Sequence, residues 1–121
     1  MTPTRQDVIE VVEAYLKGVG SRDLTAAPLH PDVEYEVAGQ WIKGATILRG
    51  FLGTLLPMIN HVTVVRHIVD GEWCATAFTL DTTYGTISAC DCFHVVNGQI
   101  VSIHVYYDSR AILSGANRLA S

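Results

Sequence analysis

Between Thr86 and Val96 the chain alternates in a way that isolates one carboxyl group. Ile87, Ala89, Asp91, Phe93 and Val95 fall on one face of an extended segment, and Ser88, Cys90, Cys92, His94 and Val96 on the other. Asp91 is thus the sole ionisable group on an apolar face, where desolvation disfavours the charged form and raises the pKa. Such a carboxyl suits two tasks, a neutral hydrogen-bond donor or a base tuned toward neutral pH. The plain alternative is a buried Asp tied to a backbone or tyrosine partner. On the opposite face Cys90, Cys92 and His94 invite a metal reading. Same-face neighbours on one strand are about 7 Å apart, too far for a compact tetrahedral site, so no metal is expected and that face is read as meeting solvent or a second subunit.

Other candidates are more scattered. Tyr15 lies on an apolar helical stripe. Asp81 sits on a segment whose alternate residues Ala75, Ala77 and Thr79 are small, as a pocket wall would be, and Asp108 ends the last extended run. His67 shares a strand face with His61, Thr63, Val65 and Val69. No Gly-rich phosphate loop, nucleophile elbow or Ser/His/Asp order is present.

The elements that must position these groups are legible from hydrophobic period. Thr4 and Asp7 form an N-cap signature, and Val8, Val11, Val12, Tyr15, Leu16 and Val19 follow at helical spacing, which predicts a first helix over residues 5–17 ended by Gly18 and Gly20. A short second helix is expected to open at Ser21 or Arg22-Asp23 and close at Pro28 and Pro31. Val33, Tyr35 and Val37 alternate with Glu34 and Glu36 as a half-buried strand, and a hairpin or loop follows through Gly39 to Gly44. Ile47, Leu48, Phe51, Leu52, Leu55 and Leu56 make a wide stripe on a third helix that stops near Pro57. From His61 the period becomes two, with turns at Asp70-Gly71, Tyr84-Gly85 and Asn97-Gly98, so the second half reads as an antiparallel meander. Helices first and strands after predict a single α+β domain over residues 1–121, its helices packed on one face of the sheet.

Composition bounds the function. A chain of 121 residues is long enough to bury a core without metals or disulfides. A net charge of −4 and the lack of a Lys/Arg run argue against nucleic acid. No apolar stretch approaches the roughly 18 residues of a membrane span, and the expected location is the cytoplasm with three reduced thiols. A hydrophobic fraction of 49% against 17% charged residues calls for an apolar use beyond the core, a lined pocket, a homodimer interface or both.

Three segments carry a family resemblance. His30-Pro31-Asp32-Val33-Glu34-Tyr35-Glu36 is similar to the strand entry, Trp41-Ile42-Lys43-Gly44 to the helix entry, and the run from Asp91 to Asp108 to the final hairpin of the SnoaL-like and ketosteroid-isomerase-like families of the nuclear-transport-factor-2-like (NTF2-like) superfamily. The order of elements over nearly the whole chain agrees. The resemblance implies a cone in which three N-terminal helices pack on a curved, mostly antiparallel sheet around an apolar pocket. It also implies pairing of two copies through the outer face of the sheet.

For chemistry, the resemblance implies an oxyanion hole built from a helix-one tyrosine and a protonated aspartic acid, matched here by Tyr15 and Asp91. The base of those isomerases falls on Val37, which accepts no proton, and the adjacent Glu36 points to the other face unless a bulge re-aims it. Asp81 and Asp108 resemble the acid pair of limonene-epoxide-hydrolase-like proteins, with Thr79 at the place of their arginine. Related dehydratases use strand histidines, which brings in His67. The expectation is therefore a cofactor-free enzyme, of isomerase, cyclase or dehydratase type, moving protons on a small apolar substrate with a carbonyl or enolisable carbon. Asp91 would be the principal acid or base and Tyr15 a donor to the substrate oxygen, with Asp108 and His67 as further candidates. Val37 at the vacant base position, together with Tyr35, Phe51, Phe78, Phe93, Ile103, Val105 and Tyr107, would line the pocket, with Trp41 on its rim. The rivals are a non-catalytic binding or dimerisation module, in which Asp91 only satisfies a hydrogen bond, and an epoxide hydrolase using Asp81 and Asp108.

Overall fold

A computed structural model describes residues 3–108. Its first element, α1, runs over Arg5–Ser21, and the capping box is complete: the Asp7 amide donates to Thr4 Oγ1 at 3.0 Å and the Thr4 amide to the Asp7 carboxylate at 2.9 Å. The helix continues one turn past the expected end. Gly18 is needed there for a close approach rather than a stop, because a Cβ on it would lie 2.9 Å from the Asp23 carbonyl oxygen and 3.0 Å from Leu24 Cδ2. Arg22 takes the left-handed C-cap position.

The expected second helix does not form. Its residues make a tight loop in which the Thr25 amide donates to Asp23 Oδ1, the local bond that competes with helix formation. Arg49 then clamps the loop, its guanidinium donating to the Leu24 and Ala27 carbonyls at 3.0 Å each. The α-helices of the described residues are therefore two, α1 and α2 (Ala45–Leu55), the latter followed by a 3-10 turn over Leu56–Met58.

Six strands form one curved, unclosed sheet: β1 Leu29–Val37, β2 Gln40–Lys43, β3 Ile59–Asp70, β4 Trp73–Thr82, β5 Gly85–Val96 and β6 Gln99–Tyr107. The spatial order is β2-β1-β6-β5-β4-β3, with every pairing antiparallel except β1–β6. Strand β2 makes the hairpin form of the segment expected as a hairpin or loop. Ala38 and Gly39, at φ of 52° and 79°, make the tight turn that joins it to β1, and an Ala in that conformation carries no sequence signal. The Asn97-Gly98 turn behaves as its sequence predicts, both residues with positive φ.

Bulges bend the strands and decide which side chains point inward. One in β3, between Val64 and Arg66, reverses the parity of all that follows, so that His67 pairs with Thr76 on the inner face instead of sharing the outer face with His61 and Thr63. Helix α1 covers the inner face. Val8, Val12, Phe93, Ile100 and Ile103 are completely buried there as a close-packed core. No helix among the described residues is long and apolar enough to cross a membrane.

Candidate active site

Beyond that packed core the sheet curls away from α1 and leaves a cavity of about 430 Å³. The second half of α1 supplies Tyr15, Leu16 and Val19 to its wall, and α2 supplies Phe51, Leu52 and Leu55. The 3-10 turn adds Leu56 and Met58, and the sheet contributes by alternation Tyr35 and Val37 from β1, Phe78 and Leu80 from β4, Ile87, Ala89 and Asp91 from β5, and Val105 and Tyr107 from β6. This volume suits a small, mostly apolar molecule.

Asp91 is the one carboxyl group on the cavity wall among the described residues. It is 4% exposed, and among the described residues no hydrogen-bond donor reaches its Oδ1. Burial pushes its pKa up to about 8, and no cation among the described residues offsets this. A structural aspartate would have its oxygens satisfied, since an unpaired buried acceptor costs about 1–3 kcal/mol. Two phenols stand close enough to Asp91 for its charge to act on them, Tyr15 from α1 and Tyr35 from β1. Burial holds both well above the ordinary tyrosine range, so both remain donors. Their rings are fixed by aromatic contacts: Tyr15 meets Phe93 edge-on at 5.5 Å, and Tyr35 meets Phe51 at 6.1 Å.

Of the expected pocket residues, Tyr35, Val37, Phe51, Phe78, Val105 and Tyr107 line the cavity. Phe93 and Ile103 do not, because on the packed side of Asp91 the first half of α1 fills the space their face would otherwise open. Trp41 is no rim residue either. It pairs with Glu36, an outer-face position, and its ring is 58% exposed against His104. Glu36 itself hydrogen-bonds His104 Nδ1 at 3.0 Å on that outer face, which removes it as a base.

Asp81 is exposed, and Ala75, Ala77 and Thr79 share its outer face, so these small residues are not a pocket wall. Asp108 does not line the cavity; its amide donates to the Ser88 carbonyl at 3.1 Å. His67 points inward but lies under α1, bonded to Thr76 and outside the cavity. Among the described residues no three His, Cys, Asp or Glu side chains converge as metal ligands would.

Sequence reasoning passed over Thr76, which is wholly buried and directly opposite Asp91 on the inner face. The Asp70-Gly71 turn fixes the start of β4, and counting from it puts Thr76 on the side of Cys74 and Phe78. The bulge that turns His67 toward it leaves no such trace.

Residues 12–103 match the family model described as SnoaL-like domain. No curated protein sequence matches the chain. Among solved structures, a steroid delta-isomerase from Pseudomonas aeruginosa is similar at 21% identity and a TM-score of 0.73, over 99% of this chain and 96% of that one. An LEH-like epoxide hydrolase from M. tuberculosis is similar at 26% identity and 0.76, over 96% and 93%. A de novo designed protein with a curved β-sheet is similar at 22% identity and 0.81, over 98% of each chain. A backbone this close to a designed one underlines that the fold by itself fixes no activity.

Proposed function

This chain belongs to the SnoaL-like family, and from that premise we propose that it is a cofactor-independent acid/base enzyme acting on a small apolar ketone or other enolisable compound. The carrying observation is Asp91: a buried carboxyl with an unsatisfied oxygen, facing an open apolar cavity beside two phenols. With its pKa pushed up to about 8, roughly a tenth of it is ionised at neutral pH, and that fraction is a strong base for a carbon acid. Tyr15 and Tyr35 are the donors for the developing enolate oxygen, and in a dry cavity such donors act without solvent reorganisation. Isomerisation, aldol-type cyclisation and dehydration all use this pair of roles. The solved relatives named as an isomerase and an epoxide hydrolase support a small-molecule substrate.

The test is carboxyl NMR of Asp91 with a panel of apolar ketones and phenols, followed by turnover of those that bind. A raised midpoint that moves on binding, and turnover lost in Asp91→Asn but reduced about 100-fold or more in Tyr15→Phe, fits the proposal. One observation favours a second reading, a binding module: Val37 occupies the wall where a second carboxylate would be needed for two-base chemistry. In that case Asp91→Asn keeps ligand affinity and no panel compound turns over.

We place the protein in the cytoplasm, in keeping with its three free thiols, and its partner as a second copy on the outer face. There Trp41, Trp73, Ile68 and Tyr106 stand exposed around the small side chains of Ala75, Ala77, Cys90 and Cys92. Sedimentation of the wild type against Trp41→Arg reads this directly, and a monomeric wild type would refute it.

A further inference from the structure

Behind Asp91, on the side away from the cavity, the interior contains a line of polar groups that the proposed chemistry does not use. Thr76 is the cross-strand partner of Asp91 on the inner face and is completely buried. Its hydroxyl lies 2.8 Å from His67 Nδ1, and His67 Nε2 lies 3.4 Å from the Glu13 carboxylate on α1. The His67 side chain is 11% exposed and that of Glu13 52%, so the line starts in the core and ends in solvent. Cys74 Sγ flanks it, 3.3 Å from Thr76 Oγ1 and 3.8 Å from His67 Nδ1; burial pushes this thiol up, so it stays protonated. None of these residues lines the cavity.

We propose that Thr76, His67 and Glu13 form a proton route between Asp91 and solvent, separate from the cavity mouth. The inference rests on Asp91 being the acid/base group. A proton leaves the Asp91 carboxyl for the Thr76 oxygen as the hydroxyl proton passes to His67 Nδ1, and the Nε2 proton passes to Glu13 or to water beside it. One proton leaves Asp91, one arrives at the surface, and the reverse transfer resets the ring. The first step spans cross-strand neighbours whose Cβ atoms stand about 4.5–5.5 Å apart, a gap that one Asp91 rotamer change or one bridging water closes. Among the described residues the phenols of Tyr15 and Tyr35 also face Asp91, and burial keeps both protonated.

Such a route lets Asp91 exchange its proton while substrate fills the cavity. A dehydration or aldol-type closure in which Asp91 takes the substrate proton and another group protonates the oxygen leaves Asp91 in the wrong protonation state for the next turnover, and the route restores it. Chemistry that returns the same proton to the substrate does not need it.

The experiment is relaxation dispersion on the Asp91 carboxyl carbon at its titration midpoint, in the wild type, His67→Gln, Thr76→Val and Thr76→Ser. The route requires protonation exchange to slow by about tenfold or more in His67→Gln and Thr76→Val, with the midpoint unmoved, and to recover in Thr76→Ser. Added imidazole should restore exchange in His67→Ala. Exchange at the wild-type rate in His67→Gln, with the midpoint still raised, overturns the route and leaves the acid/base reading intact. A wild-type midpoint near that of an exposed carboxyl overturns both. His67→Gln decides the matter alone if Thr76→Val does not fold.

Discussion

The inner face of β5 has two ends that differ far less in composition than in fate. From Phe93 toward Val95 it is packed, with Val8, Val12, Ile100 and Ile103 closing on it, and a separate hollow against the start of α1 begins only at Val95. From Ala89 toward Ile87 it opens onto the cavity. Both ends carry apolar side chains at every second position, and both lie between β4 and β6. What separates them is distance to the helix. The first half of α1 rests on the sheet, whereas the bulged, curving strands carry the other end away from its second half, where α2 forms a far wall instead of a filling. A cavity can thus be written into backbone curvature with no change in residue type, and Asp91 sits on the boundary.

That position is expensive, and the largest predicted effect removes its cost. Asp91 has a folded pKa of about 8 against an unfolded value near 3.9, so between those limits the folded state holds a proton that the unfolded state has lost. Stability therefore falls as pH rises through this window, by up to about 1.4 kcal/mol per pH unit and on the order of 5 kcal/mol in all, and levels off above it. Asp91→Asn should flatten this slope and be more stable than the wild type at pH 9, while gaining nothing at pH 4. Urea melts of both proteins at half-unit steps measure this, and parallel curves would mean that Asp91 is not desolvated. Below pH 4 the exposed Asp7 and Asp23 work the other way, since their hydrogen bonds to Thr4 and Thr25 lower their pKa values.

The next effect asks whether the two ends are as different as they look. Phe93→Ala at the packed end should cost about 3–5 kcal/mol, because the neighbours cannot collapse into the void. Phe78→Ala at the hollow end should cost less, since one side of that ring already faces empty space and fewer contacts are lost. Denaturant unfolding of the pair gives the order. Equal losses would show the cavity to be closed in solution.

How far this contrast was legible in the sequence depends on what carried it. Period and turn residues gave α1, α2, the meander and the burial of Asp91 directly, because alternation survives as long as the strand is regular. The fate of Phe93 and Trp41 was not legible: parity says which face a side chain takes, not whether a helix fills the space above it. The outer placement of Trp41 follows from β2 pairing through an Ala38-Gly39 turn that has no usual sequence signature. His67 was misjudged for a similar reason, since a bulge inserts one residue without demanding a particular type. Local chemistry was thus readable wherever periodicity was unbroken, and curvature was not.

The smallest effect concerns added volume, and it separates the two ends from the opposite direction. Val12 is fully buried against the packed end, so Val12→Leu forces an extra methylene into filled space and should cost about 1–3 kcal/mol. Ala89→Leu adds more volume but directs it into the cavity, where the new side chain gains apolar contact and displaces nothing from the protein. Its stability should change by less than about 1 kcal/mol, yet it should abolish binding of any ketone that shifts the Asp91 carboxyl signal. A large destabilisation by Ala89→Leu would mean that the space beside Asp91 is taken up by the protein itself, and the contrast between the two ends of β5 would then be one of packing quality instead of room for a substrate.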